Sequence, residues 1–260
     1  MSLPVPAGSL RPTRVLDVPL TGGTVSVEDR DHTRPFLLLH GGGGPATMTG
    51  FADLLAQRTH SRVLTPTHPG FAGTPRIPGV DSTRALAAAY VRLLDELGLS
   101  DVTVVGNSFG GWLAAEVALL GSPRVSGAVI VNGVGIDVEG HPVTDVAGLS
   151  PAELRELSFH DPSKAPGGGG TGPSPDIQAL ISYTGPAMSD PTLLDRLKGL
   201  GDLPVHVVWG ESDGIVSLEY GKAYAAAIPM SVFTPLPRSG HLPQVETPEE
   251  LLGALVTDPA

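Results

Sequence analysis

The 260-residue chain contains no cysteine. Disulfides, thiolate metal sites and a thiol nucleophile are therefore excluded. A basic cluster is also missing: the formal net charge of −11 is spread along the chain, which argues against nucleic acid and anionic membranes as partners. No apolar run is long enough to cross a bilayer, and residues 1–10 lack the charged start and apolar core of a signal peptide. A cytoplasmic enzyme acting on a small molecule is the resulting expectation, with its oligomeric state left open. His141, His160 and His206 show no ligand spacing, so neither a metal site nor a cofactor is expected. With 41% hydrophobic residues, a chain of this length supports one α/β domain, with room for an insertion.

One stretch organises what is there. Val102-Thr103-Val104-Val105 is an apolar β-branched run that stops at Gly106, and Asn107-Ser108-Phe109-Gly110-Gly111 leads into a helical segment at 112–120. Ser108 thus sits where a strand must reverse sharply into a helix. Such a turn needs an unusual backbone angle and small neighbours, and it lifts one hydroxyl above the sheet edge at a helix N-terminus. The pattern Gly-x-Ser-x-Gly is weak by itself, since this composition yields roughly 0.3 chance matches. A second match is present, Gly210-Glu211-Ser212-Asp213-Gly214. Context separates the two: a helix starts directly after Ser108, whereas a loop follows Ser212. Ser108 is the candidate nucleophile.

The rest of the chain alternates strand and helix. Residues 14–20 and 24–28 read as a hairpin about Thr21-Gly22-Gly23, and residues 36–39 as a fully apolar, buried parallel strand. That strand ends in His40-Gly41-Gly42-Gly43-Gly44-Pro45, with a helix over 48–59, a short strand at 63–64 and a Gly/Pro loop at 67–75. Asp81 or Ser82 caps a helix over 83–97, and residues 125–131 form another buried strand. After Asn132 the rhythm breaks. Ser150-Pro151-Ala152-Glu153 is a capping box, residues 166–175 read as a mobile Gly/Pro loop, and helices are expected at 177–183 and 190–200. The alternation resumes with strands at 205–209 and 231–236, a helix between them at 218–227, and a last helix from about 247. The predicted architecture is a mostly parallel open sheet with helices on both faces. Residues 1–132 and 190–260 form its core, and residues 133–189 an insertion within the single domain.

A serine hydroxyl needs a base to take its proton, and the base needs a carboxylate to fix its tautomer. Asp213 follows one buried strand, and His241, in Ser239-Gly240-His241-Leu242-Pro243, follows the last. In an open parallel sheet the site lies outside the carboxyl ends of the strands, so Ser108, Asp213 and His241 share one edge. The order Ser, Asp, His, together with His40-Gly41-Gly42-Gly43 after the third strand, resembles the α/β-hydrolases from Arg14 to the C-terminal helix. The resemblance implies an oxyanion hole made by the backbone N–H groups of Phe109 and of Gly42, with Gly43 as the alternative. It also implies that the insertion is a lid over the acyl pocket. Epoxide hydrolases and haloalkane dehalogenases share the fold but carry Asp at the elbow, so Ser108 argues against both.

Other residues have simpler readings. Gly41 to Gly44 lacks the Gly-x-Gly-x-x-Gly spacing of a dinucleotide site. His40 and His68 read as structural turn residues, Tyr183 and Phe159 as lid core. Glu211 and Asp137 are alternative acids, while Asn132 cannot ionise. The favoured reading is a serine hydrolase of a small or medium carboxylic ester or lactone. The alternatives are cleavage of a carbon–carbon bond in a vinylogous diketone and a ligand-sensing hydrolase relative. In the carbon–carbon hydrolases Trp typically follows the His, where this chain has Leu242, and the lid arginine has only Arg155 as a candidate.

Overall fold

The computed structural model describes residues 14–30, 34–146, 148–166 and 175–256. A hairpin, β1 (Arg14–Leu20) and β2 (Gly23–Arg30), turns at Gly22, whose φ of 89° suits glycine. Next come β3 (Arg34–Leu39), α1 (Ala46–Thr59), β4 (Ser61–Pro66), α2 (Thr83–Glu96), β5 (Val102–Asn107), α3 (Phe109–Leu119) and β6 (Val125–Val131). Between β6 and the next strand lie α4 (Pro151–Ser158), a 3-10 turn (Pro162–Lys164), α5 (Pro175–Thr184) and α6 (Leu193–Leu197). The chain ends with β7 (Val205–Gly210), α7 (Leu218–Ala227), β8 (Val232–Leu236), α8 (Pro243–Glu246) and α9 (Pro248–Val256).

The eight strands form one sheet in the order β1-β2-β4-β3-β5-β6-β7-β8. The β1/β2 and β2/β4 pairs are antiparallel, and every pair from β4 across to β8 is parallel. Successive side chains of a strand point to opposite faces, so continuous apolar runs need cover on both. In β3, Leu37 and Leu39 join the core shared with α2, α3 and α7, while Phe36 and Leu38 join the core shared with α1 and α9. The mostly parallel sheet with helices on both faces is the predicted fold class. Parallel strands also deliver the loops after β3, β5, β6, β7 and β8 to a single edge.

Element boundaries differ from expectation where local chemistry intervened. α3 starts at Phe109 rather than at 112, because the carbonyl of Ser108 already accepts from the N–H groups of Gly111 (2.9 Å) and Trp112 (3.2 Å). Ser82, not Asp81, caps α2 by accepting from the Ala85 N–H. The helix expected over 190–200 contracts to α6, since Asp190 bonds the Thr192 N–H and pairs with Arg84 and Arg196. The last helix starts at Pro248, as expected, but a short helix that was not expected, α8, precedes it and ends at Thr247, whose φ is −135°. Most of the expected mobile loop, residues 167–174, lies outside the described residues. Among the described residues no helix is long and apolar enough to cross a membrane.

Candidate active site

Ser108 occupies the tip of the β5–α3 turn with φ 58° and ψ −118°, a region that β-substituted residues rarely adopt. Backbone groups hold it there: its N–H donates to Val131 O (3.0 Å), and its carbonyl accepts from Val134 N–H (3.2 Å) as well as from α3. The turn closes only because its neighbours lack side chains. A Cβ on Gly106 would lie 1.8 Å from the Gly110 carbonyl oxygen, and one on Gly110 would lie 2.0 Å from that of Leu39. Ser108 is half-buried, and Phe109 opens α3, whose first N–H groups have no partner within the helix.

Asp213 and His241 meet at the same edge. His241 Nδ1 donates to Asp213 Oδ2 over 2.7 Å, leaving Nε2 as the ring nitrogen able to accept a proton. Asp213 Oδ2 also accepts from Asn132 Nδ2 (2.5 Å), and Oδ1 accepts from the backbone N–H groups of Ile215 (2.7 Å) and Val216 (3.0 Å). With all of these donors the carboxylate can turn in no other direction. Asn107, the residue before Ser108, donates to the His241 carbonyl over 2.8 Å and accepts from Gln244 Nε2 over 3.0 Å. The loop bearing the imidazole is thus tied to the strand bearing the serine.

The glycine loop after β3 lies beside Ser108: a Cβ on Gly41 would come within 2.8 Å of the Ser108 Cβ. Gly44 N–H closes the turn onto Gly41 O at 3.1 Å. Gly42 lies beneath Leu180 of α5, and Gly43 packs against Thr47. Behind this loop His40 and His68 stack with ring centroids 3.7 Å apart. The His68 backbone N–H donates to His40 Nε2 (3.1 Å), so the His40 proton sits on Nδ1 and points at Gly41 O (2.8 Å). His68 Nε2 faces His40 O (2.8 Å), and its Nδ1 accepts from the Tyr90 hydroxyl. Each imidazole therefore has its tautomer fixed by its partners. Burial lowers the His40 pKa to about 4 and that of His68 well below 6.5, and it raises that of the Tyr90 hydroxyl.

Other candidates fall elsewhere. Glu211 and Asp137 are exposed, whereas the carboxylate against His241 is that of Asp213. Ser212 is engaged by His160 Nδ1 at 2.9 Å. Phe159 and Tyr183 are buried. Among the described residues no group of three or more His, Asp or Glu side chains is arranged to hold a metal. A cavity of about 560 Å3 is lined by Ile136, Asp137, Val138, Pro142, Val143 and Ala187, and by none of Ser108, Asp213 and His241. Sequence reasoning set Asn132 aside because it cannot ionise and did not see it as a donor to Asp213. It also missed Asn107. Asn132 did carry a signal: asparagine tolerates positive φ, and here φ is 47° at a strand end.

The chain is similar to characterised proteins in sequence and in fold. It is 34% identical over 134 residues to a 2-hydroxymuconate semialdehyde hydrolase of Pseudomonas putida, a match covering 50% of this chain and 46% of that one. The chain thus spans about half the length of that curated relative. A thermophilic esterase from Thermogutta terrifontis superposes with a TM-score of 0.69 at 23% identity, over 94% of this chain and 97% of that one. A meta-cleavage product hydrolase from Pseudomonas fluorescens IP01 gives a TM-score of 0.70 at 20% identity, over 90% and 93% of the two chains. At these identities the structural likeness speaks for the fold. The sequence pattern of the Alpha/beta hydrolase family matches residues 36–254. With that match covering most of its length, the chain belongs to the alpha/beta hydrolase family.

Proposed function

We propose that the protein is a serine hydrolase that cleaves a small or medium carboxylic ester or lactone through an acyl-enzyme. The observation that carries this reading is the His241–Asp213 pair at 2.7 Å, tethered through Asn107 to the turn that presents Ser108. Ser108 Oγ attacks the carbonyl carbon and His241 Nε2 takes its proton. Asp213 holds the imidazole in the tautomer that leaves Nε2 free and stabilises the imidazolium that forms. The N–H groups of Phe109 and of Gly42, or Gly43 in its place, receive the oxyanion. The imidazolium then protonates the leaving alcohol, and a water activated by the same base releases the acid. Residues 133–189 serve as a lid, with Leu180 over Gly42 placing α5 above the oxyanion loop.

Cleavage of a carbon–carbon bond in a vinylogous diketone is the second reading, favoured by the 34% identity to a 2-hydroxymuconate semialdehyde hydrolase. The same nucleophile, base and oxyanion donors serve both reactions. One panel separates them: p-nitrophenyl esters of increasing acyl length beside a 2-hydroxy-6-oxo-dienoate. Ester turnover with kcat/KM well above that for the dienoate supports the first reading, and the reverse ranking replaces it with the second. Ser108→Ala should lose on the order of a millionfold in kcat on whichever substrate is turned over.

A further inference from the structure

Glu246 has no part in that chemistry, yet its side chain is buried and its carboxylate is engaged on both oxygens. Oε2 accepts from the backbone N–H groups of Gly240 (2.7 Å) and His160 (3.1 Å), and Oε1 accepts from that of Asp161 (2.7 Å). Gly240 immediately precedes His241, while His160 and Asp161 follow Phe159, the C-cap of α4. The same segment closes on the Asp213–His241 pair by its own backbone. His241 N–H donates to Ser158 O (2.8 Å), and Gly214 N–H donates to Leu157 O (2.9 Å). The approach is tight enough that a Cβ on Gly240 would lie 2.3 Å from Ser158 O. Hydrogen bonds to an ionised acceptor are shorter and about twice as strong as neutral ones, so this carboxylate is a firm anchor for three backbone donors.

We propose that Glu246 is a positioning residue for His241. It clamps the loop carrying the imidazole onto the end of α4, and so fixes where Nε2 lies relative to Ser108. The proposal rests on reading His241 as the general base. It also gives α4 a part in seating the base, beyond any role in covering the substrate. Glutamine is not an equivalent occupant. Its amide replaces one acceptor with an NH2 group, which would then face a backbone N–H at Asp161 or at Gly240 and His160.

The test compares wild type with Glu246→Gln, each well below its own melting temperature and with its fold checked by far-UV circular dichroism. Lys164→Ala serves as a control, since the Lys164 ammonium donates to the backbone carbonyl of Glu246 and not to its carboxylate. Two readouts are taken: the rate at which a fluorophosphonate labels Ser108, and the downfield proton resonance of His241 Nδ1–H, identified by its loss in Asp213→Asn. Labelling by Glu246→Gln should slow by roughly 10- to 100-fold, the scale of a small misplacement of a reacting group. Its Nδ1–H resonance should shift or broaden, and Lys164→Ala should match wild type in both. A folded Glu246→Gln protein that labels within about twofold of wild type and keeps the resonance unchanged overturns the proposal. If Glu246→Gln does not fold, Glu246→Asp, whose shorter carboxylate cannot span the same donors, is judged by the same two outcomes. Should wild type itself fail to label at Ser108, it is the serine hydrolase reading that fails, and the resonance, which needs no turnover, still decides the positioning role.

Discussion

The two halves of the candidate site are built by different means. Around Ser108 the turn is shaped mainly by backbone-to-backbone hydrogen bonds, with the Asn107 amide adding one to Val131 O, and space is made by glycines at 106, 110 and 111. Around Asp213 and His241 side chains do much of the holding: Asn132, Asn107, and Gln244 and Glu246 of α8 reach in from three separate parts of the chain. The contrast teaches what each half tolerates. A backbone-built turn fails when a methyl group is added. A side-chain-built pair fails when one polar atom is exchanged.

The comparison can be broken most sharply at the carboxylate. Asp213→Asn keeps the shape but no longer dictates the His241 tautomer, and kcat should fall about 10⁴-fold with the melting temperature little changed. A loss below tenfold would mean that another group orients the imidazole. On the other side, Gly106→Ala places a methyl 1.8 Å from a backbone oxygen that cannot swing away. It should cost more than about 4 kcal/mol or prevent folding, as read by urea denaturation. Gly50 has open space at its Cβ position, and Gly50→Ala should leave stability unchanged or higher.

These outcomes bear on how much of the molecule the sequence makes legible. The elbow is readable because its requirements are local: an apolar β-branched run, a serine and small residues at fixed offsets within about a dozen positions. The parallel sheet is readable for the same reason, since apolar runs and helix caps recur along the chain. Asp213 and His241 can be placed because each follows a strand and parallel strands share an edge. Their supports cannot. Glu246 lies 85 residues from Asp161 and 86 from His160 in sequence, and no periodicity marks a carboxylate that will gather backbone N–H groups. Asn132 looks like a failed acid until Asp213 is seen beside it. The α6 boundary is obscured similarly, because Asp190 is taken up by Arg84 of α2 and by Arg196, six residues further along in α6.

A smaller effect probes the floor beneath the glycine loop. His40 and His68 are held neutral, His40 with a pKa near 4 against 6.5 for the free group and His68 also well below 6.5. The unfolded chain therefore binds more protons than the folded one between those values. Stability contributed by this pair is complete above about pH 6.5 and is lost as pH falls toward 4. Between about pH 6.5 and 5, above the ordinary carboxylate range, the pair should remove at least about 2 kcal/mol, measurable by urea unfolding. A flat profile there, or stability that rises on acidification, would show that the imidazoles can charge in place. Smallest of all, Asn132→Gly keeps the positive φ but removes the amide that donates to Asp213. It should lower kcat about tenfold, with KM nearly constant and the fold retained, the scale of one hydrogen bond to a charged group. Unchanged kcat would mean that the backbone N–H groups of Ile215 and Val216 suffice.

The central claim is that Ser108, and not the serine of the second Gly-x-Ser-x-Gly, is the nucleophile. Its most direct test is intact-mass analysis and peptide mapping after treatment with a fluorophosphonate. The account predicts one adduct per chain, on the peptide containing Ser108, with none in Ser108→Ala and normal labelling in Ser212→Ala. An adduct on Ser212, or none on the folded wild-type protein, would contradict it.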